Sequence, residues 1–417
     1  MKSLPRLGLA VRSWRNLDVF YYLHISHPAN TNLDRLPNAA RATSSRPWLA
    51  RTLEGVSAVL ALVEHFWHCF WLPRGRDLIF NHSARIRRNA PTNLQALYLA
   101  KLDGIETCVI SEDHSTVPAA ALSPYLIQGF AVDRAAELFG GMLHVSRQLL
   151  RRPSDRIVCN FYLGRALWRL TFLIVRPRRL LMLVWYTKLA VIAAAHEIGV
   201  ACSDLQHGVI YQDHPFYRPP PSSPGLFLSP DRFLVYGEYW KEKLTSVGWA
   251  PSRLGVIGYF LQIDSTSSSA VSEPYVLYTS QPLAVERIKA HIRSISAELA
   301  SSGRRIVIAP HPMDAPHAFD DVVSDAVRVV SADSYDLLRN CEVHVSLSST
   351  LLWEAILFGK SSYTLTDPQQ AVDTISDLVR FGFARYIKDR EWPRPFELPR
   401  APSGDYVFRT FVEPILG

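Results

Sequence analysis

Short, nearly continuous apolar runs recur along this chain, and most end abruptly in polar residues. Asp77-Leu-Ile-Phe80 is the first and gives way to Asn81-His82-Ser83; Thr107-Cys-Val-Ile110 is the second. Runs of this length without polar alternation predict strands buried on both faces, as in parallel sheets. Arg179 to Trp185 has the same character. Leu189 to Ile198 is Ala-rich and predicts a helix closed by Gly199, since glycine takes the left-handed conformation of a helix end without steric cost. Val200 to Leu205 predicts the next strand, and strand, helix, glycine, strand in this order is a βαβ unit. Asp133 to Leu150 reads as a helix interrupted at Gly140-Gly141. Residues 1–75 carry a weaker, partly helical pattern.

Beyond residue 230 the rhythm restarts. Strands are predicted at Phe233–Tyr236, Gly255–Ile257, Tyr275–Tyr278, Arg305–Ala309, Val327–Val330, Val343–Ser346 and Ser362–Leu365, with helices at Ala284–Ala300 and Leu351–Phe358. Asp264 to Ser272 is a Ser/Thr-rich loop. Between the halves, Arg218 to Pro230 holds five prolines with Ser and Gly, which excludes helix and central strand and marks a linker. The expected organisation is α/β. Residues 1–217 form a Rossmann-like domain with a partly helical leader, and 218–230 a linker. Residues 231–395 form a second Rossmann-like domain, and 396–417 a tail. Two doubly wound domains of this kind face a central cleft, with ligands at the carboxyl ends of the strands.

The length of 417 residues suits two such domains. A formal charge of +7 fits an anionic partner: a sugar nucleotide, an acidic glycan or an anionic membrane face. No basic stripe with interleaved aromatics points to nucleic acid. Cys69, Cys108, Cys159, Cys202 and Cys341 are dispersed without ligand spacing, which predicts buried thiols in a reducing compartment and no metal site. The N-terminal region shows no secretory pattern, so a cytoplasmic location is expected. Gly55–Leu72 and Leu170–Val200 are interrupted by charged or histidine residues and do not read as spans. The run Phe66-Trp67-His68-Cys69-Phe70-Trp71 is read as a buried helix, with a peripheral membrane contact as the alternative.

Four segments carry candidate chemistry. Val343-His-Val-Ser-Leu-Ser-Ser-Thr350, leading into Leu-Leu-Trp-Glu354, reads strand, hydroxyl turn, helix. Ser348, Ser349 and Thr350 then stand at a helix start, where free N–H groups and hydroxyls suit a phosphate or simply cap the helix. Glu354, one turn on in an apolar run, either meets ribose hydroxyls or lies partly exposed. Ile306-Val-Ile-Ala-Pro310-His311-Pro312 fixes His311 between prolines at a strand end, where it can offset charge on a leaving phosphate or serve structure alone. Ser203-Asp-Leu-Gln206-His207-Gly208 ends the earlier strand, with Asp213 and His214 following; it is either a cleft wall or an ordinary polar turn. His82, Arg85, Arg87 and Arg88 either hold an acidic acceptor or form a solvated basic face.

Leu205-Gln206-His207-Gly208, Phe233-Leu-Val-Tyr-Gly237-Glu-Tyr-Trp240, Tyr278-Thr-Ser-Gln281-Pro, His311-Pro312 and Ser348-Ser349-Thr350 with Glu354 together resemble the bacterial surface-polysaccharide transferases of the glycosyltransferase-B fold. The groups resembled are the capsule-type Kdo transferases, the bacterial sialyl- and polysialyltransferases and the CDP-glycerol polymerases. The resemblance implies metal-independent transfer from a nucleotide-activated sugar, CMP- or CDP-linked, to a glycan or lipid-linked glycan. The nucleotide sugar is a substrate, and no cofactor is implied. It places the donor phosphates on His311, Ser348, Ser349 and Thr350, with Ser280, Gln281 and Glu354 completing that pocket. The sialyltransferase motif of two acids before a glycine is missing, so the base is open between His207 and Asp213. His82, Arg85, Gln206 and His214 are left to the acceptor side. A nucleotide-sugar 2-epimerase and a non-catalytic glycan-assembly subunit are the competing readings; the epimerases share the His-Pro pair but typically carry a Gly-rich phosphate turn.

Overall fold

The computed structural model describes residues 48–72, 74–81, 107–111, 126–128, 131–133, 135, 136, 138, 153–211, 214, 216–218, 228–260, 273–281, 284–311, 314–399, 407, 410 and 411. The chain divides into two compact units.

The first unit is built on a seven-stranded sheet in the order β3-β2-β1-β4-β5-β6-β7. A long helix α1 (Trp48–Trp71) leads into β1 (Asp77–Asn81), followed by β2 (Thr107–Ser111) and β3 (Leu126–Gln128). Helix α2 (Pro153–Val175), β4 (Arg179–Leu183), α3 (Leu189–Ile198), β5 (Ala201–Leu205) and β6 (Arg232–Val235) continue it. The pairs from β3 across to β6 are all parallel. Leu180 to Leu183 are all buried, as a strand covered on both faces requires. Gly199 closes α3 in the left-handed conformation, φ 75°, as expected. A Cβ there would meet no neighbour within 4 Å, so only the backbone resists substitution. Gly199→Ala is expected to lower stability by about 1 kcal/mol in denaturant unfolding, with Gly199→Asn milder.

The domain boundary differs from the expectation. The strands expected to open the second domain are β6 and β7 (Leu254–Val256), and both belong to the first sheet, with β6 paired to β5 through Asp204 and Phe233. The apolar Phe233-Leu-Val run is buried there. The end of the proline-rich stretch is packed rather than free: Ser229 and Pro230 accept hydrogen bonds from Arg253. Helix α4 (Glu238–Ser246) follows β6, and its residues Glu238–Lys243 group with the second unit.

The second unit carries a six-stranded parallel sheet in the order β11-β10-β9-β12-β13-β14. After the short β8 (Tyr259–Phe260) come β9 (Val276–Thr279), α5 (Val285–Ser294), α6 (Ser296–Ser302), β10 (Ile306–Ala309) and β11 (Val327–Val329). Helix α7 (Ser334–Asn340), β12 (Val343–Ser346), α8 (Leu351–Glu354), β13 (Ser361–Thr364), α9 (Asp373–Arg380), β14 (Ala384–Tyr386) and β15 (Thr410–Phe411) complete it. Every residue of β9, β10, β12 and β13 is buried. The single helix expected over Ala284–Ala300 is two helices that meet at Ile295. Within the segment assigned to a tail, Thr410 and Phe411 form β15, which pairs with β8.

No described helix is long and apolar enough to cross a membrane. The aromatic run expected to be buried lies at the end of α1 with Trp67, Phe70 and Trp71 exposed. Gly140-Gly141 and Asp264–Ser272 lie outside the described residues.

Candidate functional site

Strand order in the second sheet reverses between β9 and β12. Chain leaving those two strands departs toward opposite sides, which opens a crevice at their carboxyl ends. Ser280-Gln281 follows β9, Pro310-His311 follows β10 on one side, and Leu347 to Thr350 follows β12 on the other. The structure thus brings together Ser280, Gln281, His311, Ser348, Ser349 and Thr350 along one sheet edge.

Gln281 spans the reversal. Its Oε1 accepts both the backbone N–H of Ser348 at 3.1 Å and the Ser348 hydroxyl at 3.0 Å. Ser280 is buried, and its N–H donates to the Ala309 carbonyl at 3.0 Å, fastening β9 to β10 beside Pro310. Ser349 Oγ accepts from Leu351 N at 3.2 Å, an ordinary cap, while Thr350 is already helical and caps with no side-chain bond. Helix α8 has only four residues and continues as a 3-10 turn from Ala355 to Phe358, so the dipole available at Thr350 is small. Ser348 stays exposed and Thr350 half-buried.

His311 is half-buried. Its N–H donates to Asp314 Oδ2 at 2.8 Å, and Asp314 N–H returns a bond to the His311 carbonyl at 2.9 Å. This reciprocal turn fixes the His311 backbone, the task the sequence assigned to the flanking prolines. Glu354 takes neither position expected of it. It is 2% exposed and accepts a hydrogen bond from Tyr259 at 3.0 Å, with Tyr259 also 2.8 Å from the Tyr335 hydroxyl. A carboxylate with so little surface offers a ribose almost nothing; its place in an apolar helix is met by tyrosine pairing.

Beneath the hydroxyl turn lies a polar layer that sequence reasoning missed. Ser346 Oγ donates to the Thr279 carbonyl at 2.8 Å, tying the two strands at the reversal. Thr364 and Thr366 both donate to the Leu347 carbonyl, at 2.7 and 2.6 Å. His344 is fully buried in β12, with Nε2 2.8 Å from Thr279 Oγ1, and burial pushes its pKa down to about 3. Hydroxyl residues at the ends of apolar strands were the available signal.

In the first unit, strand order reverses between β1 and β4. Val184, just past β4, holds a left-handed backbone, φ 56° and ψ 52°, which a β-branched residue adopts only under constraint. Fully buried Asp204 on β5 supplies one constraint, its Oδ1 accepting Trp185 N–H at 3.1 Å. Buried Lys188 supplies another, donating to the Leu183 carbonyl at 2.9 Å. Burial raises the Asp204 carboxyl well above the usual range, opposed by Lys188 and the Trp185 N–H. Asp204 lies in the segment from Ser203 to Gly208, but no spacing there or around Lys188 reveals the turn.

Gln206 is buried, with its N–H on the Leu234 carbonyl at 2.8 Å. His207 is half-buried, its ring 6.2 Å from Tyr186, which stacks on Phe216 at 4.3 Å. His214 groups with the second unit, lies 4.9 Å from the Tyr211 ring, and is held by burial at a pKa of about 4. It is therefore neutral near pH 7. His82, Arg85, Arg87, Arg88 and Asp213 lie outside the described residues.

Among the described residues, His196, Cys202 and Asp231 bring potential metal ligand atoms within 4.8 Å of one another. They sit at the opposite, amino edge of the first sheet. Two open depressions of about 480 and 500 Å³ on the second unit, one beside Gly382 and Phe396 and one beside Lys289 and Asp321, hold none of the strand-end hydroxyls.

No protein-family model and no curated protein sequence matches the chain. Solved structures do. The UDP-GlcNAc 2-epimerase of Methanocaldococcus jannaschii is 14% identical over 79% of this chain and 97% of its own, with a TM-score of 0.50. A Listeria monocytogenes protein assigned as a UDP-N-acetylglucosamine 2-epimerase is 12% identical over 76% of this chain and 84% of its own, with a TM-score of 0.52. The calicheamicin glycosyltransferase CalG4 is similar at 10% identity over 75% and 86%, but its TM-score of 0.46 carries no weight here. At these identities the likeness shows the fold: two doubly wound parallel α/β domains, as the strand pattern predicts.

Proposed function

We propose that the chain is a glycosyltransferase moving a sugar from a nucleotide donor, CMP- or CDP-linked, to a surface or capsular polysaccharide at an anionic membrane face. The observation that carries this reading is the convergence of Ser280-Gln281, His311 and Ser348–Thr350 at the strand-order reversal of the second sheet. The exposed Ser348 hydroxyl and the turn bracing it are suited to a phosphate, and His311 to charge developing on the leaving group. His207 or Asp213 takes the acceptor proton in this reading. Glu354, buried against Tyr259, has no assigned role in this reading. The acceptor is a glycan or lipid-linked glycan, and the reaction uses neither metal nor nucleic acid.

A second reading, a nucleotide-sugar 2-epimerase, is favoured by the names of the two neighbours described above whose TM-scores are 0.50 and 0.52. The hydroxyl-rich turn in place of a glycine-rich one favours transfer. Incubation with CMP-, CDP- and UDP-sugars, with and without a glycan acceptor, decides. Nucleotide release coupled to acceptor extension is the expected result; interconversion of a UDP-sugar without acceptor establishes the epimerase; neither leaves a non-catalytic subunit. The pocket has its own test. A Ser348→Ala, Ser349→Ala double variant is expected to weaken nucleotide binding by about 1–3 kcal/mol in calorimetry, the range for hydrogen bonds to a charged group. Unchanged affinity removes the hydroxyl turn from the site.

A further inference from the structure

Helix α1 is amphipathic the wrong way round for a helix that only packs on its own domain. The residues it turns inward are Ala58, His65 and Cys69, each 1% exposed. His65 is hydrogen-bonded to Thr171 of α2 at 2.9 Å, with Cys69 Sγ 3.6 Å from its ring. The large apolar residues face outward: Leu60 is 64% exposed, Val63 61%, Trp67 61%, Phe70 69% and Trp71 73%. With Val56 they fall in a stripe about 100° wide on the helix, opposite the buried side. Turning this much apolar surface to water is unfavourable, so the face implies a partner.

We propose that this outer face of α1 lies flat on an anionic lipid bilayer. This gives a surface to the membrane contact in the reading above and rests on that contact, not on the transfer chemistry. Two observations select lipid. The stripe ends in Trp67 and Trp71, whose rings lie 5.8 Å apart, and tryptophan favours the headgroup boundary of a membrane. Beyond Trp71, the Gly75 N–H donates to the Arg176 carbonyl at 3.0 Å, which draws the loops after α1 and α2 together. Arg74 and Arg176 are both exposed there, and neither forms an ion pair among the described residues. An apolar stripe with aromatic residues and exposed arginines at one end is the chemistry of an interfacial helix. Glu64 stands on the flank of the stripe, and α1 is not apolar enough to span.

Vesicle sedimentation of the full chain tests the surface, with phosphatidylcholine alone and with added phosphatidylglycerol, at low and high salt. The wild-type chain is expected to pellet with the anionic vesicles and to be released by salt. Trp67→Ser with Trp71→Ser is expected to lower that binding at least about tenfold. Arg74→Ala and Arg176→Ala are expected to lower it about fivefold each at low salt. Circular dichroism on the same samples establishes that the variants are folded, and nucleotide binding is measured beside it. A tryptophan variant that pellets like wild type overturns the proposal, and so does a wild-type chain that binds neither vesicle. A dimer that dissociates in the tryptophan variant, without vesicle binding, assigns the face to a second copy and also overturns it. Vesicle binding without any nucleotide binding sustains the face and removes the donor reading.

Discussion

Alanine at His311 is expected to slow the proposed sugar transfer by about 10²–10³, the usual cost of one lost donor to developing charge. The fall should appear in kcat with KM little changed, because the imidazole matters most when the phosphate leaves. The substitution removes a half-buried side chain from a loop held by main-chain bonds. The reciprocal bonds between His311 and Asp314 use the backbone of His311, so they survive in the variant. The fold should therefore persist, and near-UV circular dichroism checks that it does. Asp314→Ala is the complementary change. It leaves the imidazole and removes the acceptor of the His311 N–H, loosening its position. A folded His311→Ala variant with wild-type turnover would take His311 out of the mechanism.

The same region shows what the sequence made legible. The strand ends after β9, β10 and β12 were found because each is an apolar run stopping at polar residues, and a parallel sheet must end its strands that way. Their convergence depends on strand order, which no local pattern encodes. Ser346 at the end of β12, and Thr364 and Thr366 at and past the end of β13, could have been found as strand-end hydroxyls; their targets, main-chain carbonyls of neighbouring segments, could not. Glu354 was misplaced because an apolar run cannot say which tyrosine lies opposite. The boundary between units failed for a related reason. A proline-rich stretch predicts the end of a sheet, yet the chain returns through β6 because Phe233, Leu234 and Val235 complete the first core. Helix α1 escaped for the opposite reason: its small and polar face is the buried one, so hydrophobicity pointed to the wrong side.

Acidification is expected to destabilise the protein through His344, the buried imidazole under the hydroxyl turn. Its ring lies 2.8 Å from Thr279 Oγ1 and 3.4 Å from Ser362 Oγ, and among the described residues its side-chain partners are these two hydroxyls. Burial holds its folded pKa at about 3, below its ordinary value of 6.5. The sign follows from which state binds the proton. Below pH 6.5 the unfolded chain protonates this histidine and the folded chain does not, so stability falls as pH falls toward 3. The slope is about 1.4 kcal/mol per pH unit, or about 3 kcal/mol lost from His344 by pH 4.5. Above pH 6.5 the residue contributes no pH dependence. Urea unfolding of the wild-type chain and of His344→Gln across this range isolates the effect, since glutamine keeps a polar group near Thr279 but does not titrate. The variant should be less stable at pH 7 and lose less on acidification, so the two curves converge. Parallel curves would mean that His344 is protonated in the fold or that another group carries the acid response.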